Sequence, residues 1–232
     1  MKKLSFYGRI LILIITLFAS CSLKPKPDGR ETQNFNFDWR FHKDDIAGGQ
    51  AISLDDSGWR RLDLPHDWSI EGQFSKENSS CTGYLPGGIG WYRKEFKIPN
   101  EYKGKRIFIS FDGVYNNSEV WINGTHLGNR PNGYISFQYD LTPYINYGTK
   151  NLIAVRVDHS KEGDSRWYTG SGIYRNVNLI ITSPVHIKQW GVYAAPKDVS
   201  AESASLDIDV NLSYDCMQNG KKGSIESITT SN

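Results

Sequence analysis

Two short blocks place a charged side chain directly before an indole: Asp67-Trp68, following Leu64-Pro65-His66, and Arg166-Trp167, followed by Gly170-Ser171-Gly172. A carboxylate or guanidinium supplies directional hydrogen bonds and an indole a flat apolar face, so each pair could grip a polar ligand that has one apolar side. A bland reading stands beside this one: Asp67 caps a turn and Trp68 fills a core. Glycines 170 and 172 let backbone approach a ligand closely, because no Cβ intervenes. Other chemistries fail on spacing. His42, His66, His126, His159 and His186 have no His or Cys partner at metal-ligand separation, so no metal is expected. Gly87-Gly88 is not closed by Lys-Ser or Lys-Thr and no helix follows, which removes a phosphate loop, and no cofactor is expected. Glu71, Glu77 and Glu119 have no acidic partner on a neighbouring block, so no residue is assigned as catalytic.

The elements that must position these groups are strands. Between Phe35 and Thr182 short β-branched and aromatic runs alternate with Gly, Asn, Asp and Pro, the pattern of an antiparallel sandwich. Strands are expected at 91–98, 106–111, 119–122, 125–128, 136–141, 151–158 and 176–181. Asn123-Gly124 joins two of them, a dipeptide that tolerates the positive φ angles of a type I′ hairpin turn. Trp121, inside an apolar run, reads as core. After Thr182-Ser183-Pro184, runs at 185–193 and 205–214 begin a second all-β unit with a polar connection at 194–204. The remaining residues are too few for a sandwich of about seven strands.

Charge argues against one class of partner: 27 basic and 25 acidic residues leave a net +2 with no dense Lys/Arg patch, so no nucleic acid is expected. The amino terminus argues for another. Lys2, Lys3 and Arg9 precede an apolar run from Ile10 to Phe18, shorter than the ~20 residues that span a bilayer, which reads as an export signal over 1–20. Ala19-Ser20-Cys21 is similar to a bacterial lipidation site, with Phe18 standing where Leu is usual. Cys21 is the expected lipidation residue, 21–34 a proline-containing tether, and the location periplasmic or cell-surface, held to the membrane by lipid. Cys81 and Cys216 fall in different units and are expected free.

Four blocks in fixed order resemble the N-terminal sugar-binding domain of family 2 glycoside hydrolases, above all bacterial beta-galactosidases: residues 63–68, Gly83 to Lys94, Phe111 to Gly124, and Ser165 to Arg175. The resemblance implies an all-β fold, a jelly-roll (galactose-binding-like) sandwich over 35–183 followed by a partial immunoglobulin-like β-sandwich over 184–232. It implies loops that wall a galactoside pocket against the catalytic barrel of the same enzyme, with Asp67, Trp68, Arg166 and Trp167 as substrate-binding residues. The implied partners are a galactoside or other glycan, that barrel, and the membrane through the lipid anchor. In the family the acid is a glutamate following an asparagine on a barrel strand. Asn100-Glu101 copies the dipeptide but follows Pro99 in a surface turn, and no strand–helix alternation is present to build a barrel. The expectation is a non-catalytic part of a secreted beta-galactosidase-like hydrolase. Its alternative is a stand-alone carbohydrate-binding surface lipoprotein.

Overall fold

The computed structural model describes residues 29–161, 167–214, 216–218, 221–223 and 228–230. The export signal, Cys21 and most of the tether lie outside the described residues. The strands run in order β1 (Glu31–Asn34), β2 (Trp39–His42), β3 (Arg60–Leu62), β4 (Gly88–Lys97), β5 (Arg106–Phe111), β6 (Ser118–Ile122), β7 (Thr125–Arg130), β8 (Phe137–Asp140), β9 (Lys150–His159) and β10 (Val177–Thr182). They continue as β11 (Val185–Lys197), β12 (Ser205–Tyr214), β13 (Cys216–Gln218), β14 (Lys221–Gly223) and β15 (Ile228–Thr230). Helical turns among the described residues are short 3-10 segments such as Asn100–Tyr102 and Thr142–Tyr144.

Two antiparallel sheets face each other, one ordered β1-β10-β5-β8 and the other β3-β2-β4-β9-β6-β7. Period-two alternation decides which side chains meet between them. From the four-stranded sheet come Ile107, Ile109, Phe111, Phe137, Val177, Leu179 and Ile181; from the six-stranded sheet come Trp39, Phe41, Tyr92, Val120, Ile122, Ile153, Val155 and Val157, all in one core cluster. Each large side chain buried there contributes ~1.5–3 kcal/mol relative to exposure, which favours this register over a one-residue slip.

Trp121 does not belong to that core. Its neighbours Val120 and Ile122 point inward, so the pleat turns Trp121 to the outer face, where its ring stacks on Trp91 at 5.3 Å. A long connection between β2 and β3 folds over that face and is pinned by Arg93, which is 2 % exposed. Arg93 Nε donates to Asp56 at 2.8 Å and Nη1 to the Ala51 carbonyl at 3.0 Å.

The extended tether expected over 21–34 ends early: Glu31–Asn34 pairs antiparallel with β10 as a sheet edge. Its Glu-Thr-Gln-Asn composition has no apolar face because an edge strand half exposed to water needs none, and polar side chains there discourage pairing with other chains. β11 runs beyond its expected end to Lys197, where it still pairs with Ser205. Beyond Pro184 the described residues form a three-stranded sheet, β11-β12-β15, and a two-stranded ribbon, β13-β14. This is the portion read from sequence as the start of an immunoglobulin-like unit. It leaves the sandwich at the end of β10, where Arg30 Nη2 donates to the Ile187 carbonyl at 2.5 Å.

Candidate functional site

Strand polarity sorts the loops between two ends. Gly88 opposite His159 and Phe111 opposite Val177 and Phe137 mark one end, where residues 66–87, 112–117, 131–136 and 167–176 lie. Asp67 and Trp167 lie here. Arg166 lies outside the described residues. The Asn123-Gly124 turn and Glu101 lie at the opposite end, Glu101 on the exposed 3-10 turn after β4.

Two of these connections pair with each other. His66 N–H donates to the Ile173 carbonyl at 2.8 Å and Trp68 N–H to Ser171 at 3.0 Å. Asp67 stands between these two bonds and secures the crossing. Its Oδ1 accepts from the N–H groups of Ser69 (2.9 Å) and Ser171 (2.8 Å), and its Oδ2 accepts from the Tyr168 hydroxyl. Burial first, and the Asp67 carboxylate second, push the Tyr168 phenol well above its ordinary range, so it remains a donor. The capping reading of Asp67 is therefore the one its geometry fits, since a carboxylate with three internal donors acts as a clamp.

The glycines follow from the same crossing. A Cβ on Gly170 would lie 2.7 Å from Asp67 Oδ2, and one on Gly172 would lie 2.3 Å from the Tyr92 hydroxyl oxygen. Both have positive φ, at 73° and 123°. The protein's own chain approaches both glycines.

Trp68 fits the core-filling reading. It is 2 % exposed, stacks on Phe41 at 5.7 Å and donates its indole N–H to the Gly87 carbonyl at 3.0 Å. An indole walled in on its face and satisfied at its nitrogen fills the core end and offers no surface to a ligand. Trp167 is the reverse case, 61 % exposed, with its N–H donating to the Tyr134 hydroxyl at 2.9 Å. Tyr134 in turn meets Tyr115 edge-on at 5.4 Å, and Gly133 makes room, since a Cβ there would fall 2.1 Å from the Tyr115 ring. The outcome is an open aromatic wall of Trp167, Tyr134 and Tyr168 above a fixed base.

Beneath the wall runs a buried polar chain that sequence reasoning missed. Ser69 Oγ donates to the Pro86 carbonyl at 2.8 Å and lies 2.6 Å from Ser171 Oγ, which lies 2.6 Å from His159 Nδ1. Beside it, Arg60 Nη2 is 2.7 Å from His66 Nε2 and 2.9 Å from Glu71 Oε2. A guanidinium only donates, so Nε2 accepts and the His66 Nδ1–H faces the Tyr92 hydroxyl at 2.7 Å. Burial lowers the His66 pKa, with Glu71 opposing, so the imidazole is held neutral. The sequence signal for this base was Asp67-x-Ser69, an Asx-turn spacing.

At the exposed loop end Asp67 accepts from three internal donors and Glu71 is paired with Arg60.

With that geometry in view, comparison with known proteins is informative. The profile described as "Glycosyl hydrolases family 2, sugar binding domain" matches residues 35–184. Beta-galactosidase BoGH2A of Bacteroides ovatus is 51% identical over 195 residues, covering 83% of this chain and 23% of that protein. A beta-glucuronidase of Formosa agariphila is 34% identical over 216 residues, covering 82% and 22%. The crystal structure of a beta-glycosidase from Bacteroides vulgatus superposes with a TM-score of 0.76 at 50% identity, covering 81% of this chain and 25% of that one. The chain thus spans a quarter or less of the length of each of these relatives.

Proposed function

Since the chain belongs to glycosyl hydrolase family 2 through its sugar binding domain, we propose that its Asp67 loop end lines one wall of the sugar pocket of a beta-galactosidase-like hydrolase, while the catalytic barrel of the same enzyme supplies the reacting carboxylates. The observation that carries this reading is the clamp. Asp67 accepts from its own turn at Ser69 N–H and from the 168–171 segment at Ser171 N–H and the Tyr168 phenol, so Trp167 and Tyr168 stand at the exposed end on a fixed support. A pyranose has an apolar face of C–H groups and a rim of hydroxyls, which suits an indole flanked by phenols. In this role Asp67 and Trp68 are positioning residues, one bridging loops and one anchoring the core beneath, and Trp167 touches sugar. Arg166, next to Trp167 in sequence, is proposed as a hydroxyl donor of the same wall.

The galactoside reading follows the higher identity to the beta-galactosidase than to the beta-glucuronidase. The alternative of a stand-alone surface lipoprotein finds no support in these relatives, which are named as hydrolases. Export and lipidation at Cys21 remain part of the proposal, supported by the charged and apolar run before it. Metabolic labelling with a radioactive fatty acid should mark the chain and not its Cys21→Ser variant; equal labelling of both would sink the anchor.

For the sugar wall, titration of methyl β-galactoside followed by saturation-transfer NMR is the test. Trp167→Ala should weaken binding about fivefold or more, the worth of one aromatic platform, with an unchanged melting temperature because Trp167 is exposed. Binding that is indifferent to Trp167→Ala would remove the wall.

A further inference from the structure

The stretch from Phe74 to Tyr84 is not explained by the Asp67 clamp. Tyr84 has φ of 62°, a left-handed conformation that bulky residues rarely adopt and that persists only when the surroundings impose it. The surroundings here are three hydrogen bonds to its own peptide groups. Tyr84 N–H donates to the Ser79 carbonyl at 3.0 Å, and its carbonyl accepts from Ser75 N–H at 3.0 Å and from Asn78 Nδ2 at 3.1 Å. The backbone is held so that the ring faces water, 48 % exposed, beside Phe74 at 76 %. The two rings, with Ser75 and Lys76, line a cleft of about 620 Å³, within the ~300–1,000 Å³ common for small-ligand sites.

Position supplies the occupant. A Cβ on Gly83 would sit 3.9 Å from the Tyr168 ring, so this loop packs directly against the Asp67–Tyr168 clamp. Tyr84, next to Gly83 in the chain, thus brings the Phe74 cleft to the same loop end as Tyr168 and Trp167. The lining carries no carboxylate, and Ser75 and Lys76 place hydrogen-bond donors at the edge of two apolar rings. Apolar faces with polar rims, contiguous with the loop end of a sugar binding domain, fit a carbohydrate chain leading away from the first pocket.

We infer that Phe74 and Tyr84 form an outer subsite that stacks on a pyranose ring of a longer oligosaccharide whose terminal unit occupies the Trp167 wall. The inference rests on the proposed sugar pocket and narrows its ligand class to oligosaccharides over simple glycosides.

The test measures dissociation constants by calorimetry for β-1,4-galactotetraose, cellotetraose and chitotetraose, each against its methyl β-monoglycoside. Variants are Phe74→Ala and Tyr84→Asn, the latter because asparagine tolerates a left-handed φ and leaves the loop intact. At least one tetraose should bind tenfold or more tighter than its monoglycoside, and each variant should weaken that tetraose about three- to tenfold while leaving the monoglycoside unchanged. Equal affinities for tetraose and monoglycoside, a tetraose preference that both variants retain, or no binding by any tetraose would overturn the subsite. Trp167→Ala separates the two claims. A monoglycoside bound through Trp167 with no tetraose advantage removes the outer subsite alone, whereas ring-dependent tetraose binding unaffected by Trp167→Ala removes the inner pocket and leaves the outer one standing.

Discussion

Asp67 bridges two loops, and in the proposed pocket it would position the wall rather than touch the ligand. Removing it leaves the buried N–H groups of Ser69 and Ser171 without their acceptor, and unmade buried bonds cost ~1–3 kcal/mol each. Asp67→Ala should therefore lower unfolding free energy by about 3 kcal/mol in urea titration, and Asp67→Asn by about 1, since an amide oxygen still accepts. Equal, negligible losses would deny the clamp. His66 carries a pH signature. Facing Arg60, Glu71, Tyr92 and Asp67 and desolvated by burial, its folded pKa lies below the unfolded value of ~6.5. The unfolded chain then takes up the proton first as pH falls. Stability that is complete above pH ~6.5 is lost as pH falls through the folded value, and His66→Gln should flatten that decline between pH 7 and 5. An unchanged slope would place the acid sensitivity elsewhere. Sequence could pair Asp67 with Trp68 as candidates, but a charged-aromatic dipeptide does not reveal which member faces inward. Only the register of the 66–68 and 171–173 crossing turns Trp68 onto Phe41 and leaves Trp167 in water.

Elements were legible where apolar alternation was strong and hidden where it was absent. β5, with Ile107, Ile109 and Phe111 inward, stands at the residues its sequence marks, and β12 likewise. β1 and β3 are polar edges of four and three residues, too short and too charged to register as period-two patterns. The connection over Trp91 and Trp121 was illegible for a different reason: a buried Arg93 held by Asp56 and loop carbonyls has no sequence periodicity at all. The hairpin at Asn123-Gly124 was the clearest local signal, and both residues have positive φ, 49° and 80°. Asn123 adds what the dipeptide rule does not contain. Its amide donates to the Tyr144 carbonyl at 2.8 Å and to Asn151 Oδ1 at 2.9 Å, and its Oδ1 accepts from Leu152 N–H at 2.9 Å. Asn123→Ala should cost about 2–3 kcal/mol through lost bonds and the left-handed backbone. Because this turn is at the far end, glycan affinity at Trp167 should not change; a parallel loss of affinity would mean that the two ends communicate.

At the scale of the whole chain, the proposed division of labour gives sugar contact to this sandwich and bond cleavage to the barrel of the same enzyme. Retaining hydrolysis needs two carboxylates ~5 Å apart on either side of the glycosidic oxygen, one protonated and one free to attack. At the loop end, Asp67 accepts from three donors, Glu71 is paired with Arg60, and Asp158, with burial acting to raise it, is held below its usual range by Ser160 and then Arg156. Glu101 lies on the 3-10 turn after β4, across the sandwich from Trp167. The 232-residue chain should accordingly release no nitrophenol from nitrophenyl β-galactoside above a buffer blank, while still binding methyl β-galactoside through Trp167. Turnover that persists through purification and disappears in Glu101→Gln would reverse this reading. It would require the residue at the far end to work beside a second carboxylate, and so a different pairing of loops from the one that Asp67 and Ser171 hold in place.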